Sequence, residues 1–434
     1  STYELAHWVR PPVKDLAGFP IRPPLAFARN PAEPSAENLP LGVLVHRGGA
    51  IERERVGLEP CDLASHGLLV GTTGSGKSTT ARRILWGLQA RDEPIPFLVV
   101  EPAKSEYGGL FDELEREGRR PLRLRAGVAG EGGLSINPLA ATPGLPLGRH
   151  IDWVRALLLS CFAMDESLPQ VLERLMVEAY QKKGLVEFAR EYSEASGACP
   201  SLRDLAGSTE EIRETLKELG YDARVRGNLT AAIRIRVESL VSGTKGIVFG
   251  GEEPDWGEVL SRPTFLDLSD VADPDARRLL MGALVGRIYG IREASTRAGT
   301  LQASGALRHL LVIEEAHHLL RRAEGGGPGA HLTQRVNQLI ADAFAELRSY
   351  GQGILVIDQS PTLLDPSVLR NTNVKLAHRL LFADDCAAVG DSMALPEEQQ
   401  AELRRLDTGH LVFHAPALKM PVHVRVRGWA AGEG

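Results

Sequence analysis

The sequence predicts an α/β protein: a mostly parallel, doubly wound sheet interrupted by a helical insertion. Three observations predict it. A glycine-rich phosphate loop lies between a strand-like run and a helical run. Continuous apolar runs alternate with helical segments before and after it. The stretch 151–240 is helical in pattern throughout. At 434 residues, with 43% hydrophobic and 24% charged residues, the chain has the composition of a globular protein of one large domain or two ordinary ones.

Residues 1–60 are rich in proline (Pro11, Pro12, Pro20, Pro23, Pro24, Pro31, Pro34, Pro40) and read as an extended amino-terminal arm, with a small hairpin expected at 41–45 and 50–56. The first part of the core is assigned to 61–145. Its centre is Gly71-Thr72-Thr73-Gly74-Ser75-Gly76-Lys77-Ser78-Thr79, following the apolar run Gly67-Leu68-Leu69-Val70. The spacing fits G-x-x-x-x-G-K-[ST]. Glycines let the backbone turn tightly, so that its N–H groups face phosphate oxygens. Lys77 reaches the β- and γ-phosphates, and the Ser78 hydroxyl completes a Mg²⁺ shell. The helix expected at 77–90 places its amino terminus under the phosphates. The motif reads as an ATP or GTP site.

The run 96–100 is a buried parallel strand ending in Glu101-Pro102-Ala103-Lys104-Ser105-Glu106-Tyr107, where doubly wound sheets bind ligands. Lys104 and Glu106 are therefore site candidates. A further strand is expected at 122–126, followed by a glycine-rich loop at 127–133. The helical insertion is assigned to 146–250, with Val154, Leu157, Leu158, Cys161 and Phe162 on one face and Val171, Leu172, Leu175, Met176 and Ala179 on another. Pro200-Ser201-Leu202 reads as a helix start. Arg224, Arg226, Arg234 and Arg236 make one stretch strongly basic; a solvated helix face is favoured there over a nucleic-acid contact.

The second part of the core is assigned to 251–434, with strands at 264–268, 310–313, 353–357, 374–381, 409–414 and 420–427. Helices are expected at 277–291 and 332–350, and a glycine-rich loop at 325–329. Hydrolysis needs a metal carboxylate and a group that activates water. Leu310-Leu311-Val312-Ile313-Glu314-Glu315-Ala316-His317 supplies both: Glu314 for the Mg²⁺ shell and Glu315 as general base. Gln359, at the end of the following strand, is the candidate γ-phosphate sensor. Arg348 is a candidate to reach a neighbouring subunit's nucleotide, with Arg370 and Arg379 weaker ones. His317 and His318 lack H-E-x-x-H spacing and read as packing and hydrogen-bonding residues, not metal ligands.

Net charge is −6, which argues against a uniformly basic surface. No run of about 18 apolar residues occurs, so no membrane span is expected. Four scattered cysteines (Cys61, Cys161, Cys199, Cys386) with no C-x-x-C pair argue against a metal or disulfide framework. With no signal-like segment at Ser1, these features predict a cytoplasmic protein.

The phosphate loop, Val312-Ile313-Glu314-Glu315-Ala316-His317, and Tyr350-Gly351-Gln352-Gly353-Ile354 leading through Asp358-Gln359-Ser360-Pro361 to Asn371 together resemble the HerA branch of the HerA/FtsK ATPases, over roughly residues 40 to 427. The resemblance implies a RecA-like P-loop NTPase core, ATP and Mg²⁺ as cofactors, and a homo-oligomeric ring, hexameric in the family, that pumps double-stranded DNA. It also implies Gln359 as sensor, Arg348 acting in trans, and a nuclease or phage-defence effector as partner. Glu314 stands where the family carries aspartate. Glu101 to Tyr107 replaces Asp-Pro-His-Gly-Glu-Tyr, keeping Pro102, Glu106 and Tyr107, and residues 1–60 are too short for the family's amino-terminal barrel. Two other readings compete: a nucleotide-regulated hexameric scaffold that controls an effector without pumping DNA, and a motor acting on protein. The last expects aromatic pore loops, and neither glycine-rich loop holds an aromatic residue.

Overall fold

Apolar runs bounded by turn residues become the strands of one sheet. The computed structural model describes residues 25–29, 38–102, 106–161, 168–207, 209–302, 305–323, 325 and 328–428. Its strands are β1 (Leu39–His46), β2 (Gly49–Leu58), β3 (Gly67–Val70), β4 (Phe97–Glu101), β5 (Leu122–Ala126), β6 (Gly133–Leu134), β7 (Thr264–Asp267), β8 (His309–Ile313), β9 (Gln352–Asp358), β10 (Val374–Ala377), β11 (His410–His414) and β12 (Val422–Val426). Their order across the sheet is β2-β1-β12-β11-β10-β3-β9-β8-β4-β7-β5-β6. From β10 to β6 all neighbours are parallel, whereas β11, β12, β1 and β2 are antiparallel.

Strands β3, β4, β8 and β9 are buried along their whole length, as continuous apolar runs covered on both faces require. Alternation divides their side chains between two cores. Leu69, Val99, Val312 and Leu355 pack with Ile84, Leu85 and Leu88 of the helix Lys77–Gln89 and with Leu110 and Phe111 of Gly108–Arg116. Leu68, Val100, Leu311 and Val356 face the opposite core, with Leu279 of Pro274–Arg297, Ile340 and Phe344 of Pro328–Ser349, and Leu157 of Leu147–Cys161. Each fully buried side chain of this size contributes about 1.5–3 kcal/mol.

Between β6 and β7 the chain is helical: Leu147–Cys161, Leu168–Lys182, Leu202–Ala206, Thr209–Glu218, Ala223–Leu240, Gly243–Gly250 and Trp256–Ser261. The start expected at Ser201 carries a reciprocal cap. Its hydroxyl accepts from Asp204 N, while the Asp204 carboxylate accepts from Ser201 N at 2.7 Å.

Three expectations shift. The hairpin expected at 41–45 and 50–56 forms, as β1 and β2, but it is no part of a separate arm: it continues the sheet, because β1 pairs with β12 (Gly42 with Val426) and its apolar face is buried. The helix expected from 332 begins at Pro328, since proline suits a first turn, so residues 328 and 329 leave the glycine-rich loop. That helix stops at Ser349, before Gly351. Gly351 takes φ +70°, and a Cβ there would lie 2.5 Å from the Ala306 carbonyl oxygen, so the sharp entry into β9 depends on glycine.

Candidate nucleotide site and its catalytic groups

The phosphate loop leaves β3 at the carboxyl edge of the sheet. Ser75 Oγ donates to the Thr72 carbonyl at 2.7 Å, and Gly409 N donates to the Ser75 carbonyl at 2.9 Å. Thr72 N donates to the Arg379 carbonyl at 2.9 Å, so the segment after β10 braces the loop. Gly76 has φ +115°, and a Cβ there would approach His378 Cε1 at 3.1 Å and Gly409 Cα at 3.2 Å. Lys77 Nζ donates to the Gly71 and Thr72 carbonyls at 2.6 and 3.2 Å. Burial lowers its pKa, against the pull of Glu314, Glu315, Glu106 and Asp358.

Strand β9 lies between β3 and β8, so the tips of β8 and β9 converge beside the loop. Glu314 is buried, and the Tyr107 hydroxyl donates to it. Burial pushes the Glu314 carboxyl up to about 8, with Glu106 and Glu315 adding to the rise and Tyr107 and Lys77 opposing it. Ser78 Oγ donates to Glu106. Glu101 accepts from Glu106 N at 2.8 Å through Oε1, while its buried Oε2 has no hydrogen-bond partner. Burial pushes Glu101 up to about 7. This oxygen-rich set, with one carboxylate oxygen unsatisfied, fits a hard divalent cation accompanying a nucleotide.

Glu315 takes a left-handed backbone conformation (φ +46°, ψ +51°), a sparsely populated region for a residue with a side chain. Its carboxylate is addressed on both oxygens. Gln359 Nε2 donates to Oε1 at 2.7 Å, and His317 Nδ1 lies 3.5 Å from Oε2. The Gln359 side-chain oxygen Oε1 in turn accepts from Thr73 Oγ1 at 2.9 Å, linking loop, sensor candidate and base candidate in one chain. Asp358, buried, holds His317 through the backbone N–H at 2.9 Å and Nδ1 at 3.0 Å. The Asp358 hydrogen bond raises the His317 pKa. Glu315, His317 and Asp358 bring ligand atoms within 4.8 Å of one another, a convergence the sequence reading of His317 did not anticipate. His318 instead faces Arg277, at 3.2 Å.

The cavity among these groups measures about 740 Å³, and its walls include Thr73, Lys77, Ser78, Glu106, Glu315 and Gln359. The nucleotide-loop candidates thus meet Glu314, Glu315 and Gln359 in one place. Arg348 stands elsewhere. It ends the helix preceding β9, and the seven residues of β9 separate it from Gln359 by roughly 23 Å. Lys104 lies outside the described residues, Arg370 is exposed on the helix Pro366–Asn371, and Arg379 meets the loop through its carbonyl. Tyr107 and Asp358 were not singled out from sequence for their contacts, whereas His317 makes the hydrogen bonds expected of it, to Asp358. The signal for Tyr107 and Asp358 was present in their adjacency to Glu106 and Gln359.

The family described as Helicase HerA, central domain, matches residues 48–288, more than half of the chain. This chain belongs to the HerA family. A probable helicase of Methanocaldococcus jannaschii is 24% identical over 163 residues, 37% of this chain; the match spans only 30% of that protein. Among solved structures, VirB4 of Thermoanaerobacter pseudethanolicus superposes with a TM-score of 0.67 at 20% identity, covering 92% of this chain and 98% of that one. The conjugative coupling protein TrwB superposes with a TM-score of 0.58 at 14% identity, covering 90% and 89%. TrwB in complex with ADP and Mg²⁺ gives 0.57 at 14% identity, with 87% and 89% covered. These likenesses show a shared fold. The HerA-family chain is a P-loop ATPase, and none of its described helices is long and apolar enough to cross a membrane.

Proposed function

We propose that this chain is a ring-forming ATPase motor that translocates double-stranded DNA. The observation that carries the reading is the convergence of Lys77, Ser78, Glu315 and Gln359 on one cavity, in a chain of the HerA family. Lys77 and the loop amides bind the phosphates, and Ser78 and Glu314 would hold Mg²⁺, which when bound would supply charge neutralisation there. Glu315 takes the proton of the attacking water. Gln359 couples the γ-phosphate to Glu315 through the Thr73–Gln359–Glu315 chain.

Arg348, roughly 23 Å from its own sensor, acts on a neighbour's nucleotide, which suits a ring, here a hexamer. DNA phosphates meet the exposed loop 127–133 beyond β5 and the basic helix Ala223–Leu240, where Arg224 and Arg234 are exposed. A nuclease or defence effector is the partner expected for a cytoplasmic motor of this kind.

The test is ATP hydrolysis by the purified chain with and without linear double-stranded DNA, beside Glu315→Gln. Stimulation that falls with salt and vanishes in the variant supports the motor. Hydrolysis indifferent to DNA refutes it and favours the nucleotide-regulated scaffold.

A further inference from the structure

We infer that a cavity on the face of the sheet opposite the phosphate-loop helix binds a small, planar, neutral heteroaromatic amine of the aminopurine or aminopyrimidine kind. The inference goes beyond the motor and does not depend on it. Three helices enclose the cavity: Leu147–Cys161, Pro274–Arg297 and Pro328–Ser349. It measures about 280 Å³, at the small end of ligand pockets, which run to about 1,000 Å³. Gly286 and Gly290 stand one turn apart on its wall. A Cβ would lie 2.3 Å from Trp153 Nε1 at the first and 2.4 Å from Thr142 Oγ1 at the second. Their bareness lets the Trp153 indole lie against the helix, near-parallel to the Tyr289 ring, with centroids 6.2 Å apart and 15° between the planes.

Two acceptors on the wall are unused. Glu293, 4% exposed, accepts Arg149 Nη1 at 2.6 Å and Arg297 Nε and Nη2 at 3.0 and 2.8 Å, all on Oε1. Its buried Oε2 has no hydrogen-bond partner among the described residues, and neither has His150 Nε2. Burial and the nearby Arg287 push the His150 pKa down to about 3, so the ring is neutral. Its other nitrogen bonds to the backbone of Pro138, which has no N–H to give; the proton therefore sits on Nδ1, and Nε2 accepts. A buried acceptor left unmatched is costly, a carboxylate oxygen above all. The occupant that answers both atoms carries N–H donors, and the aromatic wall suits a flat one. Arg149 already sets a cation over Tyr289, its Cζ 5.1 Å from the ring centroid, which leaves a neutral donor as the fitting occupant.

The probe is 2-aminopurine, whose fluorescence is quenched when it stacks on an aromatic side chain. Titrated with the purified chain, with excess ADP and Mg²⁺ filling the phosphate-loop site, it should show saturable quenching with a Kd below about 1 mM. Purine, which lacks the exocyclic amine, should compete about tenfold more weakly. His150→Phe keeps a ring but no acceptor, and should weaken 2-aminopurine by about tenfold. Ala343→Phe puts a ring into the cavity from the third helix and should abolish the quenching. Circular dichroism checks that both variants fold, and the comparison with purine needs neither.

Quenching that never saturates shows that water alone satisfies the two acceptors, and overturns the inference. Quenching that ADP removes overturns it too, because the probe then sits in the nucleotide site. So do equal affinity for purine and undiminished quenching in a folded Ala343→Phe.

Discussion

Replacing Glu314 with glutamine isolates the electrostatics at the tip of β8. In the folded chain burial pushes this carboxyl up to about 8, from an ordinary value of 4.5. The sign follows from which state holds the proton. Between about pH 4.5 and 8 the folded protein keeps it and the unfolded chain has lost it, so stability falls as pH rises through that window and is flat above it. One pKa unit is worth about 1.36 kcal/mol, so the loss between pH 5 and pH 8 is on the order of 4 kcal/mol. Glutamine stays neutral at every pH and still offers an oxygen to the Tyr107 hydroxyl. With an unfolding entropy of about 2.1 cal/mol/K per residue, a chain of this length unfolding as one unit gains or loses roughly 4–5 °C for that energy. Melting curves of wild type and Glu314→Gln, recorded from pH 5 to pH 9 without nucleotide or divalent cation, should diverge by that amount in favour of the variant at the alkaline end. A Tm difference that does not change with pH would refute the reasoning, since any purely packing effect of the substitution is the same at both ends.

Three further outcomes are expected. Lys77→Ala should abolish binding of a fluorescent ATP analogue, whereas Glu315→Gln should keep binding and lose hydrolysis by about 10²–10⁴-fold; equal loss of both properties in the two variants contradicts the separate roles. Asp358 raises the His317 pKa, so the contribution of charged His317 is full below its ordinary value and fades as pH climbs through the raised one. His317→Gln should lower kcat at unchanged KM and remove that alkaline fade, and an unaltered pH profile would count against His317 as a positioning residue for Glu315. Gly76→Ala forces a side chain into φ +115° beside His378 and Gly409, and should cost about 1–3 kcal/mol in urea unfolding along with nucleotide affinity; wild-type behaviour in both would show that the loop has room.

Local rules made much of this molecule readable. Buried parallel strands announce themselves as unbroken apolar runs, so β4, β8 and β9 were visible, and the phosphate loop is marked by the spacing of Gly71, Gly76, Lys77 and Ser78 between a strand and a helix. What sequence could not supply was adjacency across the sheet. That β9 separates β3 from β8 is a matter of strand order, and it is this order that lets Gln359 touch both Thr73 and Glu315. Prolines before β1 made residues 1–60 look like an arm with its own small hairpin, because the pairing with β12 that joins this hairpin to the sheet links segments more than 360 residues apart. His317 looked ordinary without its metal-site spacing; its partner Asp358 arrives from another strand.

Strand β9 has a mechanical meaning beyond its place in the sheet. All seven of its residues are buried, with Gln359 immediately past one end and Arg348 a few residues before the other. It is a push-rod clamped between the two buried cores that flank the sheet. A packed interior transmits displacement with little compression, so a shift of Gln359 on its own nucleotide has a stiff path to the arginine at the far edge. On the motor reading, with Gln359 as sensor, news of one phosphate bond can leave the subunit along this strand.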